Sequence, residues 1–276
     1  MLKRFGNFLL ALLVFVVSFL VLVVIQNAVV IFAAINFGMP LEESTPLAVF
    51  AGHVGFIVVF GLWYGILKSR YAKRSIKKVA TPRNLGGLLV LSLGLSFFMS
   101  YGLAIADPLI PEAIVEEYMK IMENAQLGES LLTNLAGCFL APIGEELIFR
   151  GLMLYFLMKV IRGTKNEKVL FWVVNLIQAV CFGAFHMNLY QGMYATVLGM
   201  LIGYMAYKSN TILVPILIHM IYNVSQLVLM EPIGTALPEN TIIYVLLMVA
   251  GLVVMIVGMR IVKFHKEESV KEEVAA

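Results

Sequence analysis

The sequence predicts an all-α fold: a polytopic membrane helix bundle of about eight transmembrane helices with both termini cytoplasmic. Three observations carry that expectation. Hydrophobic residues make up 61% of the 276 and charged residues only 13%, with a mean hydropathy of +0.93, whereas a soluble domain carries about 25% charged residues. Apolar runs of bilayer-crossing length, about 20 residues, recur from end to end. Basic and acidic residues also alternate between successive connections. The runs consume the length, so the chain reads as a single integral membrane domain, 1–276, with no room for a separate soluble one.

The runs fall at about 8–35, 46–67, 85–106, 130–160, 169–187, 190–207, 211–230 and 241–263. The first follows Lys3 and Arg4 but far exceeds the 7–15 residues of a signal-peptide core, so it reads as a retained helix. After the second run come Lys68, Arg70, Lys73, Arg74, Lys77, Lys78 and Arg83 without an acid. Arg162, Lys165 and Lys168 follow the fourth, Lys208 the sixth, and Arg260, Lys263 and Lys266 the eighth. The alternate connections hold Glu42 and Glu43, the acids from Asp107 to Glu129, and Glu231 and Glu239. Positive residues stay on the cytoplasmic side, which gives the orientation and an even span count. The segment opened by Pro111 spaces Ile114, Tyr118, Ile121, Met122 and Ala125 near helical period, with Glu112, Glu116, Glu117 and Glu123 between them. It reads as a helix lying at the outer interface. Cys138 and Cys181 sit in apolar runs and read as small buried hydrophobes. There is no internal repeat and no nucleic-acid motif, and the composition points to the lipid bilayer as a partner, in a multi-pass protein of the cell membrane. The sequence does not give an oligomeric state.

Three polar clusters interrupt the apolar runs: Glu145-Glu146 with Arg150, Phe182 with His186, and His219 with Asn223. Ionisable groups at bilayer depth cost roughly 2.5–3.5 kcal/mol each on insertion scales, which marks them as functional candidates. Each pairing is four residues apart, on one helix face. Glu145 and Glu146 point about 100° apart and cannot both face one partner. Glu146 has Arg150 one turn on, a pair that neutralises itself. Glu145 has no cation within a turn, and suits general acid or base work. Gly137, Pro142 and Gly144 loosen the helix before it, as happens beside a cavity. His219 and Asn223 side by side offer donors to a developing oxyanion. His53 has no polar companion and reads as structural, and His265 lies in the tail.

Absences narrow the chemistry. There is no His-Glu-x-x-His zinc motif and no Gly-x-Ser-x-Gly elbow. Asp107 is the only aspartate, so an aspartyl dyad is impossible. Glutamate and histidine remain.

The ordered set Glu-Glu-x-x-x-Arg, Phe-x-x-x-His and His-x-x-x-Asn, each on its own membrane helix, resembles the CAAX protease and bacteriocin-processing family, also called the Abi family. That family includes the type II CAAX prenyl endopeptidases. The resemblance covers the fourth to seventh runs, about 130–230, which would be the catalytic core, and all seven motif positions match. It implies an intramembrane endopeptidase in which Glu145 with His186 activates a water molecule. His219 and Asn223 would hold the oxyanion, Glu146 and Arg150 would brace the site, and Phe182 would pack beside it. Substrates would be membrane-associated or leader-bearing peptides or a membrane-anchored protein, in CAAX-type processing or in bacteriocin maturation and self-immunity. The family is formally classed with metalloproteases, yet its CAAX-processing branch is better described by glutamate-activated water without direct metal catalysis. The residues leave both open, since Glu145, His186 and His219 make the three ligands a catalytic zinc needs.

Two alternative functions compete: a non-catalytic membrane immunity or scaffold protein, and a proton-coupled transporter. Intact motifs argue against the first and the lack of repeat symmetry against the second. One geometric difficulty stands. At 1.5 Å per residue, His219 lies about 12 Å into its span and His186 about 27 Å into its own. Straight parallel helices would keep them apart, so strong tilt or a shielded re-entrant connection near His186 to Met193 is expected.

Overall fold

The computed structural model describes residues 2–67 and 79–264. Lys68, Arg70, Lys73, Arg74, Lys77, Lys78, His265 and Lys266 lie outside the described residues. Among those described there is no strand. The helices are α1 (Leu2–Phe37), α2 (Leu41–Ile66), α3 (Pro82–Leu109), α4 (Glu112–Ala125), α5 (Leu131–Ile161), α6 (Glu167–Phe185), α7 (Leu189–Ser209), α8 (Leu213–Ala236) and α9 (Thr241–Ile261).

Among the described residues, seven of these, all but α4 and α7, are long and apolar enough to cross a membrane. The expected span at 190–207 forms as α7, and its 21 residues are long enough. Tyr190, Gln191, Tyr194, Thr196, Tyr204, Tyr207 and Lys208 dilute its apolarity. The helix tolerates them because it packs along α6 through Ala195, Gly199, Ile202, Gly203 and Ala206 rather than facing lipid on that side. The outer segment forms α4, whose Ile114, Tyr118, Met122 and Ala125 are half-buried, while Ile121 stays exposed.

Local chemistry sets the helix ends. Thr81 accepts from the Asn84 N–H, with Pro82 in the first turn of α3. Asn188 and Asn240 cap α7 and α9 in the same way. Asn210 closes α7 in the left-handed conformation at φ 53°.

The expected loosening near Pro142 takes a particular form. The helix does not break; it widens into a π-helix over Ala136–Leu140 and again over Leu147–Met153. A proline inside a helix removes one backbone donor, and widening the register lets the remaining N–H groups find acceptors. The device recurs in α8, where Gln226–Met230 is a π-helix followed by Pro232.

Helix α5 is central. Residues 144–154 are buried without exception, with α2 packed along residues 131–153, α1 and α6 against its second half, and α8 against residues 136–146. Phe56, Phe60, Phe149 and Phe182 form the aromatic part of this core. Helix α9 packs mainly on α3, which in turn meets α8. The α3–α9 contact is close: a Cβ on Gly94 would overlap the backbone of Met255, and one on Gly251 would come within 2.5 Å of the Phe98 nitrogen. Two contacts between distant residues mark one end of the bundle. Arg4 donates to the Arg162 carbonyl at 3.3 Å and Arg83 to the Ile261 carbonyl at 2.8 Å. At the other end Gln126 donates to the Glu42 carbonyl and Tyr190 to Asp107, both at 2.9 Å. Basic and acidic residues thus collect at opposite ends.

Gly94→Ala is expected to lower thermal stability by about 1–3 kcal/mol, the usual range for overpacking. Gly65→Ala, where a Cβ meets nothing within 4 Å, serves as the control. Equal melting of the two variants in detergent would remove the close helix contact as a source of stability.

Candidate active site

One carboxylate oxygen joins two of the clusters. Glu146 Oε1 lies 2.9 Å from Arg150 Nη1 and 2.9 Å from His219 Nδ1. Glu146 and Arg150 are fully buried and His219 is 3% exposed. The pair Glu146–Arg150 follows from the four-residue helix spacing; the approach of His219, 73 residues on, follows from α8 crossing α5. Since Glu146 already accepts from Arg150, the network assigns the donor hydrogen to His219 Nδ1. His219 Nε2 then faces Glu145 Oε2 at 3.8 Å, beyond hydrogen-bond length. Glu146 Oε2 and Arg150 Nε are buried without a hydrogen-bond partner among the described residues.

Phe182 is the common wall. The Arg150 guanidinium lies over its ring at 4.5 Å, a cation–π contact. The rings of His186 and His219 approach it edge-on at 5.1 Å and 5.8 Å. Both histidines therefore reach one ring, despite the different depths expected for straight parallel helices. A short turn of His186, Met187 and Asn188 joins α6 to α7, with Met187 at φ 55°. Tyr118 of α4 stacks on Tyr190 at 4.8 Å, so α4 covers the start of α7 beside this turn. The Nδ1 of His186 bonds the Phe182 carbonyl at 2.9 Å, which leaves its Nε2 unengaged.

Asn223 donates to the Gly137 carbonyl at 2.8 Å. In the π-register of Ala136–Leu140, Ala141 N–H bonds the Ala136 carbonyl. The next donor in that register would be residue 142, a proline, so Gly137 loses its backbone partner and Asn223 supplies one. The amide nitrogen of Asn223 keeps a second hydrogen.

A catalytic zinc needs three protein ligands at about 2.0–2.2 Å from nitrogen or oxygen. Among the described residues no group of three or more His, Cys, Asp or Glu is arranged to hold a metal ion. Glu145, His186 and His219 as they stand do not make a zinc site.

Of the seven motif residues, Glu145, Glu146, Arg150, Phe182 and His219 form one contact network. His186 joins it through the Phe182 ring and carbonyl. Asn223 is turned to the Gly137 carbonyl rather than to the carboxylates. His53 bonds the Val49 carbonyl of its own helix at 2.8 Å. Cys138 is buried and Cys181 partly so, both as free thiols. Sequence reasoning missed the Gly137 and Gly199 carbonyls and the buried amides Asn175 and Gln178. Only the polar residues inside an apolar run signalled the latter two.

Residues 127–225 match the family described as type II CAAX prenyl endopeptidase Rce1-like. A curated relative in Bacillus subtilis (strain 168), named "Putative membrane peptidase YdiL", is 29% identical over 111 residues. That alignment covers 40% of this chain and 42% of the relative, so the chain matches less than half of the relative's length. No solved structure matches the chain.

Glu146→Gln and Arg150→Ala each leave a fully buried partner unpaired, at a cost of about 3–5 kcal/mol. Both should lower the yield of folded protein and its melting temperature. If each variant is as stable as the wild type, the pair does not brace the fold.

Proposed function

We propose that this chain, a member of the CAAX protease family through residues 127–225, is an intramembrane endopeptidase that hydrolyses peptide bonds with a glutamate-activated water. The observation that carries the reading is the juxtaposition of Glu145 with His219, whose other nitrogen is fixed by Glu146. A water molecule set off the 3.8 Å axis between Glu145 Oε2 and His219 Nε2 would reach both at hydrogen-bond length.

Glu145 acts as the general base. His186, oriented through Nδ1 by the Phe182 carbonyl, offers Nε2 to align the same water. The water oxygen attacks the scissile carbonyl carbon as its proton passes to Glu145. The resulting oxyanion accepts from His219 Nε2–H, when that ring carries both hydrogens, and from the second Asn223 amide hydrogen. Collapse breaks the C–N bond, and the proton on Glu145 leaves with the amine. Glu146, itself held by Arg150, accepts from His219 Nδ1–H and keeps that ring oriented, and no step requires a metal. The catalytic core is 130–230 within one integral membrane domain. Substrates are membrane-associated or leader-bearing peptides in the cell membrane, processed with both termini of the chain cytoplasmic. The gathering of basic residues at one end of the bundle supports that orientation.

Glu145→Gln should abolish cleavage of a matched peptide by purified protein while leaving the melting temperature near that of wild type. Activity above a few per cent would remove Glu145 from the base role.

Asn223→Ala should lower turnover about 10²–10³-fold, the loss expected for one oxyanion donor, and wild-type enzyme should work without stoichiometric zinc. Asparagine discriminates because its amide is a poor zinc ligand. Elemental analysis finding one zinc per active molecule, lost together with activity in His186→Ala and His219→Ala, would overturn the glutamate–water mechanism.

A further inference from the structure

Beyond the motif residues, a chain of buried amides runs through α6 and ends on Arg150. Asn175 and Gln178 are both fully buried. Asn175 Nδ2 donates to the Met200 carbonyl of α7 at 2.9 Å. Gln178 Nε2 donates to Asn175 Oδ1 at 2.9 Å and to the Gly199 carbonyl at 3.0 Å. That spends both hydrogens of the Gln178 amide. The same Gly199 carbonyl accepts from Arg150 Nη2 at 3.2 Å. The amide chain requires glycine at residue 203, since a Cβ there would overlap Asn175 Oδ1 and lie 2.6 Å from Gln178 Nε2.

Buried amides between helices often serve only as adhesive, worth about 1–2 kcal/mol or less in membranes. Two details argue for more here. Asn175 alone already ties α6 to α7 through Met200. Gln178 instead reaches the one α7 carbonyl that Arg150 also uses. Inside α7 that oxygen also faces the helix's own i+4 donor, so Gln178 and Arg150 share its outward side, and the Gln178 amide limits the direction from which the guanidinium can approach. The fork of arginine then spans two fixed acceptors, Gly199 and Glu146.

We infer that Gln178 is a positioning residue of the active site. It limits the approach to the Gly199 carbonyl, which places Arg150, which fixes Glu146 and through it His219. The inference rests on the endopeptidase reading above for its catalytic consequence, but not for the relay itself.

The test uses full-length protein in detergent, with Gln178→Met, which keeps the length of the side chain and removes both donors. Three readouts are needed: kcat and KM on a cleaved peptide, thermal melting, and the ring-nitrogen NMR signals of 15N-histidine-labelled protein. The chain has only four histidines, so His219 is identified by the signal lost in His219→Gln. The variant should remain folded. Its kcat should fall roughly 10–100-fold, the scale of a small misplacement of catalytic groups, with KM little changed. The Nδ1–H signal of His219 should weaken or shift.

Gln178→Leu provides a second variant of similar volume with no donor for Gly199, and it should move the His219 signal in the same direction. An unmoved His219 spectrum in whichever variant folds would overturn the relay and leave Gln178 as adhesive. A shifted spectrum with wild-type kcat would remove its catalytic importance. If wild-type protein cleaves no peptide while Gln178→Met still shifts His219, the relay stands and the endopeptidase reading fails alone.

Discussion

The structure of the site depends on a single shared acceptor, Glu146 Oε1. It takes one hydrogen bond from Arg150 within α5 and one from His219 of α8. Without it, a buried guanidinium and a buried imidazole would lose the acceptor to which both donate, and breaking a buried pair costs about 3–5 kcal/mol. With it, the pairing selects the relative placement of two helices, because α5 and α8 must cross where Glu146 and His219 meet. Arg150 extends the constraint to α6 and α7 through the Phe182 ring and the Gly199 carbonyl. Four helices are thereby registered by one carboxylate and one guanidinium.

The π-helical stretches of α5 belong to the same economy of backbone groups. In lipid, a carbonyl stripped of its donor has no water to turn to. Pro142 strips Gly137, and the cost is met by Asn223, whose amide would otherwise be an unpaired polar group in α8. One donor therefore stabilises two irregularities, and the bond fixes where the Asn223 amide sits. Irregular helix geometry of this sort often marks functional positions, and here it has an identified cause in the covalent chemistry of proline.

Much of this was legible in the sequence, for reasons that also define the limit. Glu146 with Arg150 was readable because helical spacing is local, and the oily setting of Glu145, His186 and His219 marked them by contrast. The family resemblance rested on those residues and agrees with the match over 127–225. The pairing of His219 with Glu146 was not readable, since two helices 73 residues apart can cross at many registers. Nor were the contacts to Gly137 and Gly199, because backbone carbonyls carry no residue identity. Pro142 announced a disturbance, but a kink, a break and a widened turn were all consistent with it. Helix α7 was read correctly in extent, yet its tyrosines and Gln191 make it less apolar than the other long helices, a property tolerated through its packing on α6.

Exposure sorts the motif residues along the lines of their proposed roles. Glu146, Arg150 and Phe182 are wholly inaccessible. Glu145, adjacent in sequence to Glu146 but about 100° around the helix, is 7% exposed, and His186 and Asn223 are half-buried. His219 lies between the two sets, touching Glu146 on one nitrogen and facing Glu145 with the other. Hydrolysis needs a carboxylate that water and a peptide can reach, together with partners that neither can disturb. In the proposed mechanism two successive glutamates divide these needs, because the helical rotation leaves Glu145 slightly exposed and turns Glu146 fully into the core. The difference in burial between the two carboxylates follows from that rotation.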